Sequence, residues 1–235
     1  MKPLSPGRIP FLDAWRGTAV LVMLAWHFCW DLASYGVFPR GEMFSPPAAL
    51  ARMFIVVSFV LLSGISCRFS RDNLARGGRT LLCAAAVTAV MYFMGDPIWF
   101  GILHLLGCCM LLYGRFGTRF EKLPCAETAF WCGVLFAAGL VIVERVRVTV
   151  PGLWLLGLRT REFYSADYYP LVPWGFLFLA GTVIGGRLRE SGGSSFPGDC
   201  PAWLCWVGRR ALWIYLLHQP LLMGALYLVF GGFPG

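Results

Sequence analysis

The chain has only three histidines, His27, His104 and His218, and each falls inside a long apolar run. Ionisable side chains are costly inside a bilayer and mark functional positions there. At about 1.5 Å of rise per residue, His27 lies roughly 18 Å from the inner end of its segment, His104 roughly 15 Å and His218 roughly 12 Å from theirs. All three are therefore expected in one central layer, where three helices could turn them toward a shared hydrated chamber. The alternative is three separate histidines, each bonded to a backbone carbonyl. Asp31 follows His27 by four residues, so the two share a helix face. A carboxylate beside an imidazole fixes its tautomer and raises its basicity, which is the arrangement of a general base with its orienting partner. A polar pair that joins helices is the structural alternative. His27, Asp31, His104 and His218 form the candidate catalytic set.

A second group is cationic. Asp13 and Arg16 stand at i, i+3 where the first apolar run begins, with Arg8 before them. They suit either an interfacial salt bridge with helix capping or an anion site in which arginine holds a phosphate bidentately. Arg68, Arg71, Arg76 and Arg79 crowd one connection between apolar runs; topology and anionic-lipid contact compete there with a phosphate-bearing donor. On the opposite side, the stretch from Tyr164 to Pro170 gathers hydroxyls around Asp167. It fits sugar recognition or an interfacial aromatic belt, and Asp96 could join it. The chain has no Walker loop, GxGxxG, HExxH or GxSxG. ATP-driven transport, dinucleotide chemistry, zinc proteolysis and the usual serine hydrolases are disfavoured accordingly.

These residues must be positioned by helices in lipid. Of 235 residues 58% are hydrophobic and only 14% charged, against about a quarter charged in soluble domains, and the mean hydropathy is +0.67. Seven segments read as spans of about 20 residues: 15–37, 49–67, 80–94, 98–113, 126–143, 170–186 and 210–230. Residues 150–158 (VPGLWLLGL) are apolar but too short to cross and read as re-entrant or interfacial. The expected fold is an all-α, polytopic membrane helix bundle of about seven transmembrane helices, with 1–235 as a single domain and Ser191 to Pro197 as a short flexible loop. The net charge is +8. With the N-terminus cytoplasmic, most Lys and Arg fall on the inner side, including Lys2, Arg8, Arg16, the Arg68–Arg79 cluster, Arg115 and Arg119, as the positive-inside rule requires. Lys2 and Arg8 before the first run read as an uncleaved signal-anchor. No basic stripe with interleaved aromatics suggests nucleic acid. The nine cysteines show no CxxC or zinc spacing and read as small buried hydrophobes; Cys200 and Cys205 are close enough in sequence to pair, in a loop expected to be reducing.

The stretch RIPFLDAWRGTAVLVMLAWHFCWDL (Arg8 to Leu32), followed in order by SGIS (Ser63 to Ser66), FGILHLLG (Phe100 to Gly107), YSADYYPLVPW (Tyr164 to Trp174) and IYLLHQPLL (Ile214 to Leu222), resembles bacterial proteins carrying the heparan-alpha-glucosaminide N-acetyltransferase catalytic domain. Its start is also similar to O-acyltransferases that modify surface polysaccharides, whose first helix carries an R-G…H pattern with a functional histidine. The resemblance implies a multi-pass acyltransferase of the bacterial inner membrane. It would take an acetyl group from cytoplasmic acetyl-CoA, a co-substrate rather than a bound cofactor, and give it to an amino sugar or glycan at the outer face. On that likeness His27 leads the catalytic set; Arg8, Arg16, Arg68 and Arg71 would hold the CoA phosphates, with Asp13 in the cofactor-binding set as the partner of Arg16; and Tyr164, Asp167, Tyr168, Trp174 and Gln219 would bind the acceptor. Lipid, acyl-CoA and a glycan are the expected partners, with no metal, no nucleic acid and a possible homodimer. A proton-coupled transporter built on buried His and Asp, or a non-catalytic scaffold subunit, are the competing expectations.

Overall fold

The computed structural model describes residues 9–191 and 199–233. Lys2 and Arg8, on which the signal-anchor expectation rests, and all of the Ser191 to Pro197 loop beyond Ser191, lie outside that set. Among the described residues eight α-helices follow one another: α1 (Pro10–Ser34), α2 (Pro46–Cys67), α3 (Asn73–Phe93), α4 (Ile102–Phe120), α5 (Cys125–Arg145), α6 (Leu171–Glu190), α7 (Ala202–Arg209) and α8 (Ala211–Phe230). Single 3-10 turns stand at Arg40–Phe44 and Leu153–Leu156. Two isolated bridges are the only β pairing among the described residues. Among the described residues, six helices are long and apolar enough to cross a membrane. At 19 residues α4 is the remaining long helix, and its last turns carry Arg115 and Arg119. The protein is an all-α, polytopic membrane protein.

The helix limits differ from the hydropathy reading where local chemistry overrides it. α1 starts at Pro10 rather than near Trp15, because proline is preset for the first helical position and Asp13 in the first turn complements the helix dipole. α3 starts seven residues earlier than expected, with the Asp72 carboxylate accepting from Ala75 N at 2.8 Å, an N-cap. α4 starts later, at Ile102. Residues 97–100 run extended and take bonds from the loop before α6, Ala166 N to Pro97 O at 3.1 Å and Tyr169 N to Phe100 O at 2.9 Å. Leu153–Leu156 is a single turn closed on both sides by glycines with positive φ, Gly152 (93°) and Gly157 (97°). All nine cysteines are free.

The described residues cluster into two compact units, 9–59 with 199–233, and 60–191. In the first, α7 lies against the start of α1 with backbone nearly touching backbone. A Cβ on Gly17 would strike the Leu204 carbonyl and one on Gly208 the Asp13 carbonyl. Small residues at a crossing permit this approach, which in lipid supplies packing where no hydrophobic drive exists between helices. Trp15 Nε1 donates to Ser58 Oγ at 3.0 Å, tying α1 to α2. At the far end Tyr35 stacks on Phe230 at 4.7 Å and donates to Gly232 O at 2.9 Å, so α1 and α8 are joined there. In the second unit the same device recurs. Gly64 abuts the Phe178 carbonyl, and Gly181 and Gly185 meet the backbone of Leu61 and Ile65, seating α2 on α6 around the 1% exposed Phe178.

Candidate active site

In the first unit α1 and α8 bring His27 and His218 together, with ring centroids 4.8 Å apart and planes at 62°. The helix positions that do this are held from both sides. Above the pair, Gln219 Nε2 donates to both carboxylate oxygens of Asp31, at 2.8 and 3.1 Å. Beside it, Trp26 stands edge-on to His27 at 5.2 Å and stacks on Trp30 at 5.4 Å. His218 is 7% exposed, and its Nδ1 lies 2.6 Å from the Tyr215 carbonyl. A carbonyl can only accept, so Nδ1 carries the proton and Nε2 presents a lone pair. That Nε2 is buried with no hydrogen-bond partner, as are Gln219 Oε1 and Trp26 Nε1. Unpartnered buried polar atoms are few in native structures and each requires an explanation; here three belong to residues of one cluster.

The i+4 spacing of His27 and Asp31 does not produce the expected orienting bond. Asp31 is 3% exposed, and a carboxylate that deep takes the strongest donor in reach. Gln219 supplies two contacts, while the His27 ring turns to Trp26 and His218. His218 is the imidazole whose tautomer is fixed, and a backbone carbonyl fixes it. Tyr215 and Trp26 were not singled out by sequence. Tyr215 stands three residues before His218 on the same helix, a spacing that every helical residue offers, so the sequence held no specific signal for it.

The other candidates separate. His104 belongs to the second unit, where its Nε2 lies 3.3 Å from Thr88 Oγ1 and its ring 5.7 Å from Phe100. Thr88 donates its own proton to Ile98 O at 2.7 Å, so Nε2 of His104 is the donor to Thr88. Asp167 accepts from Ile102 N at 3.1 Å and thereby caps α4. Tyr164, 62% exposed, donates to Asp96 at 2.7 Å, and that bond raises its phenol pKa. Tyr168 donates to the Trp154 carbonyl beneath the Arg159 guanidinium, 5.2 Å from its ring. Burial pushes the Tyr168 phenol up to about 12, against the opposing pull of Arg159 and Arg147. Trp174 is 6% exposed and packs against Phe136 and Tyr169.

Of the cationic set, Arg16 lies 3.2 Å from Asp13, itself 4% exposed. Arg68 is already engaged, paired with Glu121 and donating to Tyr113 Oη at 3.1 Å, which in turn donates to Glu121 at 2.8 Å. Arg71 is exposed, and Arg8 lies outside the described residues.

The family described as heparan-alpha-glucosaminide N-acetyltransferase, catalytic, matches the chain over residues 8–220. No curated protein and no solved structure matches it.

Proposed function

The chain belongs to the heparan-alpha-glucosaminide N-acetyltransferase catalytic family, whose members are membrane acetyltransferases, and from that premise we propose that it transfers acetyl from acetyl-CoA on the cytoplasmic side to an amino sugar or glycan at the outer face. The observation that carries the reading is the His27–His218 pair, with His218 Nδ1 tied to Tyr215 and Nε2 buried without a partner.

In this reading the acceptor amine or hydroxyl attacks the thioester carbonyl. The new N–C or O–C bond forms, the C–S bond breaks, and the acceptor proton passes to His218 Nε2 and from there to the departing thiolate. His27 is less buried than His218, so it lines the approach and hydrogen-bonds the reacting group. Asp31 and Gln219 are positioning residues that hold α1 and α8 in register. Arg71, which is exposed, suits the donor phosphates better than Arg16 or Arg68, whose charges Asp13 and Glu121 already answer. Tyr164 and Tyr168 are assigned to acceptor recognition through stacking and hydroxyl contacts, and the membrane is assigned as the bacterial inner membrane.

The test is transfer of labelled acetyl from acetyl-CoA to glucosamine by purified protein. A positioned base contributes about 10²–10⁴-fold, so His218→Ala and His27→Ala are each expected to lose at least about 10²-fold while remaining monodisperse. Unchanged transfer by either variant removes the mechanism. pH-dependent solute uptake into liposomes with no transfer would instead favour transport.

A further inference from the structure

The second unit holds a groove of about 560 Å³ between α4 and α6, within the range of small-molecule sites. Cys109, Leu112 and Phe116 form one wall and Leu171, Gly175 and Leu179 the other. The wall is apolar almost throughout. Its one tyrosine, Tyr113, already donates its hydroxyl proton to Glu121 and accepts from Arg68.

Two observations separate this groove from ordinary lipid-facing packing. The first is Gly175. Gly64, Gly181 and Gly185 touch the backbone of a neighbouring helix, whereas a Cβ on Gly175 would meet only Cys109 Sγ, at 3.9 Å. The missing side chain therefore leaves width in the groove and does not serve a helix crossing. The second is charge. Arg119 lines one end of the groove, and the guanidiniums of Arg115 and Arg119 flank the Phe116 ring at 5.4 and 5.9 Å. Among the described residues neither has a carboxylate partner, since Glu121 next to them is taken by Arg68 and Tyr113. Hydrocarbon walls that end in two uncompensated guanidiniums are complementary to an acyl chain that ends in an anionic headgroup, and basic pockets between membrane helices hold such headgroups.

We propose that the α4–α6 groove is a binding site for an anionic phospholipid of the bilayer, with one acyl chain between Leu112 and Leu179 and the headgroup phosphate on Arg115 and Arg119. Full-length protein in phosphatidylcholine nanodiscs, probed with trace spin-labelled phosphatidylglycerol or spin-labelled phosphatidylcholine, tests this through the motionally restricted signal. At roughly 1 kcal/mol per basic residue near the surface, phosphatidylglycerol is expected to be preferred by about tenfold or more at one site per chain. Arg115→Gln/Arg119→Gln is expected to bring that preference to within about twofold, by the same electrostatic argument. Gly175→Leu, which fills the groove, is expected to remove the preference for phosphatidylglycerol as well. Equal binding of the two lipids by the unaltered protein, or a preference retained in the double arginine variant, overturns the proposal. Both arginines are exposed, so that variant requires no repacking and decides the question even where Gly175→Leu fails to insert.

Discussion

Replacing Gln219 with leucine should expose how much of the α1–α8 contact depends on one buried carboxylate. Both Asp31 oxygens accept from a single amide nitrogen, so the pair counts as one charge-assisted bond of about 1.5–3 kcal/mol rather than two. The larger effect is what the substitution leaves behind. Asp31 stays buried with its donor gone, and leaving a charged group unsatisfied costs more than the roughly 1–3 kcal/mol of a neutral one. The competing expectation is the average interhelical hydrogen bond in lipid, only about 0.6 kcal/mol. A double-mutant cycle decides between them. Asp31→Leu orphans only a neutral amide and is expected to cost about 1–3 kcal/mol. Asp31→Leu/Gln219→Leu leaves neither group unpaired and should fall short of the sum of the singles by about 2 kcal/mol, within the range of directly coupled residues. Reversible unfolding in mixed micelles with increasing SDS, followed by circular dichroism, gives all three values. A Gln219→Leu cost near 0.6 kcal/mol, or singles that add to within about 0.5 kcal/mol, would refute the reasoning, because Asp31 would then have another donor.

Two further outcomes follow from geometry away from that contact. Gly208→Val places a branched side chain where even a Cβ strikes the Asp13 carbonyl, so α7 must lift from α1 at a cost of about 1–3 kcal/mol or more. Cys205, 4% exposed and bonded to Pro10 O at 3.5 Å, should then be alkylated by maleimide far faster than in the unaltered protein; an unchanged rate would show that α7 is not held by that crossing. Tyr168 is an acid whose folded pKa is raised to about 12 from the ordinary 10, so its contribution to stability is whole below pH 10 and is lost as pH rises through 12. A near-ultraviolet absorbance titration should show a phenol ionising near pH 12 that Tyr168→Phe removes, and superimposable titrations would place the high-pH phenol elsewhere.

The spans were legible because lipid demands runs of about 20 apolar residues, a signal that needs no partner to be read. α7 was not, since its eight residues are too few to span, and only the glycines of two helices far apart in sequence give it a seat. The ends of α1, α3 and α4 were misplaced by several residues because Pro10, Asp72 and the Asp167 carboxylate set them, through caps that hydropathy does not register. The histidines show the same division. That His27 and His218 are ionisable groups in apolar helices is plain in the sequence. That Asp31 serves Gln219, 188 residues away, instead of His27 four residues away, depends on which donor the fold delivers. A local i, i+4 pattern states only that two side chains can meet.

The reassignment of Asp31 changes what kind of base the site would hold. In a carboxylate–imidazole couple the acid stabilises the imidazolium and raises its basicity. His218 has a neutral carbonyl at Nδ1 instead, which fixes the tautomer without supplying a counter-charge. The second ring of the pair, His27, stands 4.8 Å from it. On the proposed mechanism the pair therefore suits a proton held briefly, taken as the acceptor attacks and released to the thiolate, and not a long-lived imidazolium. Asp31 then has a mechanical task. Gln219 adjoins His218 in the chain, so the bond that fixes α8 to α1 also sets the distance between the two rings. Asp31→Asn keeps an acceptor for the Gln219 amide while discarding the charge, and on this argument it should retain most of the transfer that Asp31→Leu loses. A transfer rate for Asp31→Asn as low as that of His218→Ala would show that the carboxylate acts on the reaction through its charge.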